Sequence, residues 1–319
     1  MVSKLIGSGS CDLLGQSLRM HHGNGAVVSW CCRCMHALIL NPVLGQVDSG
    51  HCQDKLAESF VMESLISLVL RDRQEDETAP PLQREAAVWA IRAVGSMARR
   101  NSANKERLAR LGTCEKLLPL FHSFVGADLT QKEQDDVLES LCWCIGNLGS
   151  PDESNQTLLG QQGVHHIVGY ALLVNSSLVS LITSTEDKIV SGNGSSKKAA
   201  SRSVSVLVVQ EALRALRSLC HNHSANLQLF FEWRWSPSSS SSSSNEEVNL
   251  TDSGSGGQLC EVLADLLLSY RERSEVLQWI WYAIASLSME VRFLKRLGSL
   301  RVCEYAVDSL NRLHFLLFR

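Results

Sequence analysis

Apolar residues return at helical spacing through most of the chain, and they return in a three-part phrase. The clearest copy runs from Val137 to Ala171. A long apolar-faced run (Val137–Leu148) gives way at Pro151 to a short run that ends at Gly163. A third run follows from Val164 to Leu173. This pattern predicts three short helices folded on one another, with Ser154 or Asn155 capping the second and Gly163 supplying the left-handed residue that closes it.

The same phrase precedes it. Leu82–Arg99 places Ala86, Val88, Trp89, Ile91, Ala93, Val94 and Met97 on an apolar face. Asn101-Ser102 is N-cap chemistry for a short helix, Ala103–Leu111, Gly112 closes that helix, and Thr113–Phe124 is the third. Later copies are Val204–Cys220 with Ser224–Phe231 and Leu259–Leu268, and Glu275–Leu287 with Met289–Leu297, Gly298 and Val302–Leu310. At the front, Val27–Leu40 predicts a helix stopped by Asn41-Pro42, because the residue before proline disfavours helical geometry. A loop with Gly45 and Gly50 follows, then a helical stretch from Gln53 to Leu70 in which Phe60 stands where the other copies have glycine.

Five units emerge, at about 27–70, 82–125, 136–174, 204–270 and 275–311. Together they make one repeat domain over 26–319, preceded by a poorly ordered lead or degenerate cap over 1–25. Two stretches interrupt it. Residues 183–203 are rich in Ser, Gly, Lys and Thr without periodicity, and residues 236–258 hold Pro237, seven consecutive serines and a Gly-Ser-Gly-Gly run. Both read as flexible inserts. The second lies between two helices of one unit, which a repeat tolerates because loop-closure entropy grows slowly with length.

Composition narrows the function classes. Net charge is −3 over 319 residues, so the bulk charge makes no case for nucleic acid or for an anionic membrane. Eleven cysteines fall in helix-like apolar runs without the spacing of a disulfide framework. They read as buried reduced thiols of a cytoplasmic or nuclear protein. The N-terminus lacks the apolar core of a signal peptide, and the most apolar window, Val164–Ile182, carries too many polar residues to span a bilayer. The sequon at Asn155–Thr157 is then incidental.

Leu82–Phe121 (LQREAAVWAIRAVGSMARRNSANKERLARLGTCEKLLPLF) and Val137–Val164 (VLESLCWCIGNLGSPDESNQTLLGQQGV) resemble armadillo repeats, and the likeness extends over most of 27–311. The resemblance implies an all-α right-handed superhelical solenoid of about five three-helix repeats. Each unit would bury its apolar face against its neighbours. The long helices would line a concave groove of the kind that binds extended peptides or segments of partner proteins. The expected function is therefore a non-enzymatic protein–protein interaction scaffold with no cofactor. Repeat spacing exceeds the roughly 40–47 residues usual for such units, an excess the linkers and inserts account for.

Aligning the long helices on Met35, Val94, Leu148, Leu219 and Leu287 brings Trp30, Trp89, Trp143, Arg214 and Tyr282 to one position. Cys34, Ala93, Asn147, Ser218 and Ser286 lie four residues on, on the same helical face. Two readings stand side by side. The rings fill gaps between successive repeats, or they line the groove and take up partner side chains, including the stems or charge of Lys and Arg. Trp143 with Asn147 resembles the Trp-x-x-x-Asn pair of importin-α-type receptors, whose amide hydrogen-bonds to an extended peptide. An importin-like nuclear import cargo adaptor is thus an alternative, although such receptors use a ladder of these pairs and only one occurs here.

A further alternative is a metal-binding or thiol-dependent protein built on Cys31, Cys32, Cys34, His36, His51 and Cys52, although the cluster lies inside an apolar helix and not around a turn. Cys220-His221-Asn222-His223 reads as a capped helix end in preference to a nucleophile pair, which is assembled in space and not in sequence. Lys197, Lys198, Arg202 and Ser236-Pro237 are linker residues or phosphorylation-controlled sites. Arg99-Arg100 and Lys105–Arg110 read as a solvated mixed-charge edge. The apolar end, Leu310–Arg319, docks on the last repeat, self-associates, or marks an incomplete gene product.

Overall fold

A left-handed residue opens the third helix of every repeat, and these residues organise the fold. The computed structural model describes residues 9–40, 45–69, 84–125, 127, 129–178, 205–235 and 257–308, and among these there is no strand. In chain order the helices are α1 (Ser10–Met20), α2 (Gly25–Leu40), α3 (Gly45–Glu58), α4 (Val61–Val69), α5 (Arg84–Ala98), α6 (Ser102–Arg110), α7 (Thr113–Val125) and α8 (Gln131–Gly149). They continue as α9 (Glu153–Gln161), α10 (His165–Leu173), α11 (Val206–Cys220), α12 (Ser224–Glu232), α13 (Gln258–Ser269), α14 (Ser274–Leu287), α15 (Val291–Ser299) and α16 (302–308).

The third helix of each repeat is α4, α7, α10, α13 or α16. Each is entered through a residue with positive φ: Phe60 (58°), Gly112 (79°), Gly163 (76°), Gly257 (97°) and Arg301 (59°). A Cβ is costly there, so glycine is the natural occupant. Phe60 holds the conformation at the place where the sequence lacks the glycine. In the last repeat the left-handed residue is Arg301, and Gly298, expected to end the short helix, lies inside α15.

Buried asparagines tie each short helix to the long helix before it. The cap residues Asn101, Asp152 and His223 accept from the backbone N–H of Asn104, Asn155 and Asn226 at 2.9–3.2 Å. The side chains of those three asparagines donate back to the carbonyls of Met97, Leu148 and Leu219 at 2.9–3.2 Å. One turn thus satisfies orphan groups of two helix ends. Asp152, and not Ser154 or Asn155, is the cap of α9. Asn155 is buried in this tie, so its sequon offers no acceptor amide. His223 fills the same role at the Cys220–His223 turn, as the capped-end reading expects.

Lys105 departs from the solvated edge assigned to it. It is buried, and its Nζ donates to the carbonyl of Ser150 at the C-terminus of α8, where a cation suits the helix dipole. Burial lowers its pKa despite the opposing charge of Asp152.

The helices group into two units, Met1–Ile167 and Val168–Arg319. In the first, α2, α5 and α8 are successive long helices packed side by side around Val28, Met35, Ala90, Ile91, Met97, Leu141 and Ile145, all buried. Each such Leu, Ile or Met contributes roughly 1.5–3 kcal/mol relative to exposure. Part of the lead expected to be poorly ordered or a cap is a packed helix, with Cys11, Gly15 and Leu18 of α1 buried. The loop expected around Gly45 and Gly50 is helical within α3.

In the second unit α11 packs on α14, and Leu213, Leu216, Ile280 and Ile284 of these two helices are buried. Trp233, 1 % exposed, lies against α10, where a Cβ on Gly169 would fall 2.3 Å from its ring. The Phe231 carbonyl accepts from the Gly257 N–H at 2.8 Å, so the two ends of the Ser-rich stretch are one hydrogen bond apart. Residues 183–203 and 236–256, with the linker residues assigned to them, and the apolar end after 308 lie outside the described residues. Gly257 and Gln258, placed within the second insert by sequence, open α13.

Candidate functional site

Trp30 is 63 % exposed on α2 although large aromatic side chains favour burial. It belongs to a cluster on the long-helix face of the first unit. Arg33, one helical turn further along α2, lays its guanidinium 4.9 Å from the Trp30 ring centroid and 4.8 Å from that of Trp89 on α5. The same guanidinium pairs with the Glu85 carboxylate. The motif repeats one helix on. Arg92 stands 5.0 Å from the Trp89 ring, pairs with Glu139 of α8 at 3.0 Å, and donates from Nε to the Ser140 hydroxyl at 2.8 Å. Burial raises the pKa of Glu139, with Arg92 opposing that shift.

Behind these rungs His36 is wedged between the rings of Trp89 and Trp143, with centroids at 5.8 and 6.0 Å, and its Nδ1 meets the Ser96 hydroxyl at 2.8 Å. Burial, reinforced by Arg92, brings its pKa down to about 4, so the ring is neutral at physiological pH. Trp143 is half-buried against Gly95. A Cβ on Gly95 would lie 2.7 Å from the indole and 2.9 Å from the Cys144 backbone. Next to the rungs is a depression of about 510 Å³ whose wall mixes Arg33, Arg84, Arg92 and Lys132 with Glu85, Glu133 and Asp136, with Trp89, Val88, Leu129 and Val137 as its apolar part.

The structure brings Trp30 and Trp89 together through Arg33, and Trp89 and Trp143 together through His36. Cys34 is exposed beside them, and Ala93 is buried. Asn147 is buried and its amide donates to the Trp143 carbonyl at 2.8 Å, a bond within its own helix. In the second unit Arg214 pairs with Glu211 at 3.1 Å, Ser218 is buried, and Ser286 donates to the Tyr282 carbonyl at 3.0 Å. Tyr282 is exposed and carries Arg217 over its ring at 4.9 Å.

Helix ends refine the register. Val94 precedes the end of α5 by four residues, whereas Leu148 and Leu219 precede theirs by one and Leu287 is the last of its helix. Counted from the ends, Arg92 and Ser96 stand where Trp143 and Asn147 stand in the next unit, and Ser96 bonds the Arg92 carbonyl as Asn147 bonds that of Trp143. Arg33, which joins the rings of Trp30 and Trp89, and Arg92, which stacks on Trp89, were missed in the sequence. Their signal was the Trp-x-x-Arg spacing, present at both 30–33 and 89–92.

The Cys/His alternative fares differently. Cys31, Cys32 and Cys52 point into the core, where burial raises the thiol pKa of Cys31 and Cys32, and His36 is engaged with Ser96. Among the described residues no three His, Cys, Asp or Glu side chains are placed to hold a metal ion, and no helix is long and apolar enough to cross a membrane.

Solved structures give the fold a context. The chain is similar to a designed armadillo repeat protein in complex with the peptide (KR)4, at 16 % identity with a TM-score of 0.53, over 95 % of this chain and 90 % of that one. It is also similar to two engineered proteins, both at 14 % identity. One has a TM-score of 0.57 over 95 % of this chain and 88 % of the other, and the second 0.51 over 96 % and 65 %. No protein-family model matches the chain, and no characterised protein matches it in sequence. The fold is an all-α armadillo-like repeat solenoid.

Proposed function

We propose that the chain is a non-enzymatic scaffold that holds an extended segment of a partner protein against the long-helix face of its first unit. The carrying observation is the exposed Trp30 beside the rung cluster and its depression. A solvent-facing indole next to fixed guanidinium and carboxylate groups is the composition of a protein-recognition surface, in which Trp and Arg dominate the energetics. The fold supports the reading, since the designed armadillo neighbour is a peptide complex. His36 is half-buried, neutral and engaged with Ser96, and Cys31, Cys32 and Cys52 face the core, which favours binding over catalysis. Buried free thiols fit a cytoplasmic or nuclear setting.

An importin-like adaptor role is less favoured. Asn147 is directed at its own helix, and Ser96 and Ser218 take the equivalent places in the neighbouring units.

The test is fluorescence anisotropy with labelled extended peptides of acidic, basic and neutral composition. At least one class binds with a Kd of roughly micromolar order, and Trp30→Ala weakens it about tenfold with helicity unchanged. Absence of binding in all three classes at high micromolar protein overturns the reading.

A further inference from the structure

The rings of the long-helix face already carry cations, and those cations are the chain's own. We infer that Arg33 and Arg92 make this face selective for an extended acidic segment of a partner protein and close it to basic ones. The inference rests on the peptide-binding reading above and gives the partner its charge.

A basic peptide side chain gains on an armadillo surface by laying its stem or charge on an indole. On this chain it meets an occupied ring. Arg33 is held over both Trp30 and Trp89 and paired with Glu85. Arg92 is held over Trp89, paired with Glu139 and bonded to Ser140. Displacing either arginine breaks a ring contact and an ion pair together. The arginine competes from within the chain, at an effective concentration no free peptide matches.

The Glu85 carboxylate is held less firmly, whereas Glu139 is largely buried on Arg92. Glu85 is 58 % exposed, and nothing beyond Arg33 is seen to fix its carboxylate. Exposed ion pairs of this kind contribute little, so a ligand carboxylate exchanges with Glu85 at small cost and leaves the stacked guanidinium where it is. The exchange is therefore asymmetric: an incoming acid replaces an exposed acid, whereas an incoming base must evict a stacked base. The outer wall of the depression is mixed in charge, with Arg84 paired to Glu133 at 3.5 Å and Lys132 near Asp136, so the selectivity rests on the stacked arginines themselves.

Geometry matches an extended chain. Both guanidinium groups lie within 5.0 Å of the centroid of one ring, that of Trp89. Side chains on one side of an extended peptide recur every second residue, roughly 6.8 Å apart. Acidic residues two apart lie on one side of such a chain, so one can replace Glu85 on Arg33 while the next faces the Arg92 end of the cluster.

The experiment uses the full chain and three labelled octapeptides that differ only in charge: alternating Glu-Leu, Lys-Leu and Ser-Leu. The Glu-Leu peptide is expected to bind at least tenfold tighter than the other two. Arg33→Gln should weaken it five- to tenfold, and Glu85→Gln, which frees the Arg33 edge, should tighten it about threefold. Glu85 is exposed, so its variant folds even if the arginine variant does not, and circular dichroism checks both. Lys-Leu binding as tight as Glu-Leu overturns the charge assignment and leaves the groove standing. Glu-Leu binding that ignores Glu85→Gln overturns it too, because the peptide then binds elsewhere. Failure of all three peptides removes the groove reading, and the selectivity with it.

Discussion

Trp143 in the first unit and Trp233 in the second use one device to opposite ends. Each indole lies on a glycine of a neighbouring helix, Gly95 or Gly169, and neither glycine has room for a Cβ. Trp143 sits between successive long helices and keeps an edge at the surface, next to the Arg–Trp rungs. Trp233 follows a short helix and is sealed in the core. The difference teaches that indole content alone does not distinguish a surface ring from a core one. What distinguishes them is where the ring lies relative to the long helices and whether charge has been brought to it. The rungs make the same point. Arg33 stacks on Trp89 with an acid beside it, and Arg217 stacks on Tyr282 with Gln278 at the ring's hydroxyl. The cation, ring and acid do recur in the second unit, where Arg292 lies over Phe231 and pairs with Glu290, but there the ring belongs to a short helix and not to the long-helix face.

The largest expected effect separates the two kinds of indole. Trp233→Ala should cost about 3–5 kcal/mol in denaturant unfolding, because a sealed ring leaves a cavity, and Gly169→Ala about 1–3 kcal/mol by overpacking. Trp30→Ala should stay within about 1 kcal/mol. Equal losses at Trp30 and Trp233 would erase the contrast. Of intermediate size is an acid effect in the first unit. His36 titrates near 4 when folded, below the ordinary value of about 6.5. Above the unfolded value the neutral ring is accommodated fully. As pH falls from about 6.5 toward 4, the unfolded chain takes the proton first and the fold loses stability. His36→Gln should therefore show a smaller drop in denaturant midpoint between pH 7 and pH 4.5 than the unaltered chain; identical slopes would exclude His36 as the source. Smallest is a gain. Phe60 is exposed and left-handed, and Phe60→Gly should raise stability by about 0.5 kcal/mol, the relief of strain slightly exceeding the entropy that glycine adds to the unfolded chain. A loss in thermal midpoint would mean that the Phe60 ring contributes packing.

Repeat architecture was legible because each copy carries local punctuation. Gly112 and Gly163 announce the left-handed turn, and Phe60 could be placed there by alignment. Gly257 was hidden at the end of a Gly-Ser run, and Arg301 could not be read because arginine carries no mark of left-handed backbone. The register of α5 slipped for a physical reason. Ile91, Val94 and Met97 recur every three residues, so sliding the helix by that step preserves its apolar pattern. The Asn101 cap, tied through Asn104 to Met97, settles it. On the candidate site, the rings were visible and their occupants were not. Cation–π contacts between α2 and α5 join residues far apart in sequence, and only the repeated Trp-x-x-Arg spacing hinted at them.

The hydrogen bond from Gly257 to Phe231 reaches beyond packing. It fixes both ends of an intervening stretch at one place, so the length between them is nearly free: doubling it costs only about 0.6 kcal/mol. For an engineer this is a splice point, where a fluorescent domain or an affinity tag enters without disturbing the neighbouring helices. For evolution it is a position at which new chain can be tried while the repeat keeps its form.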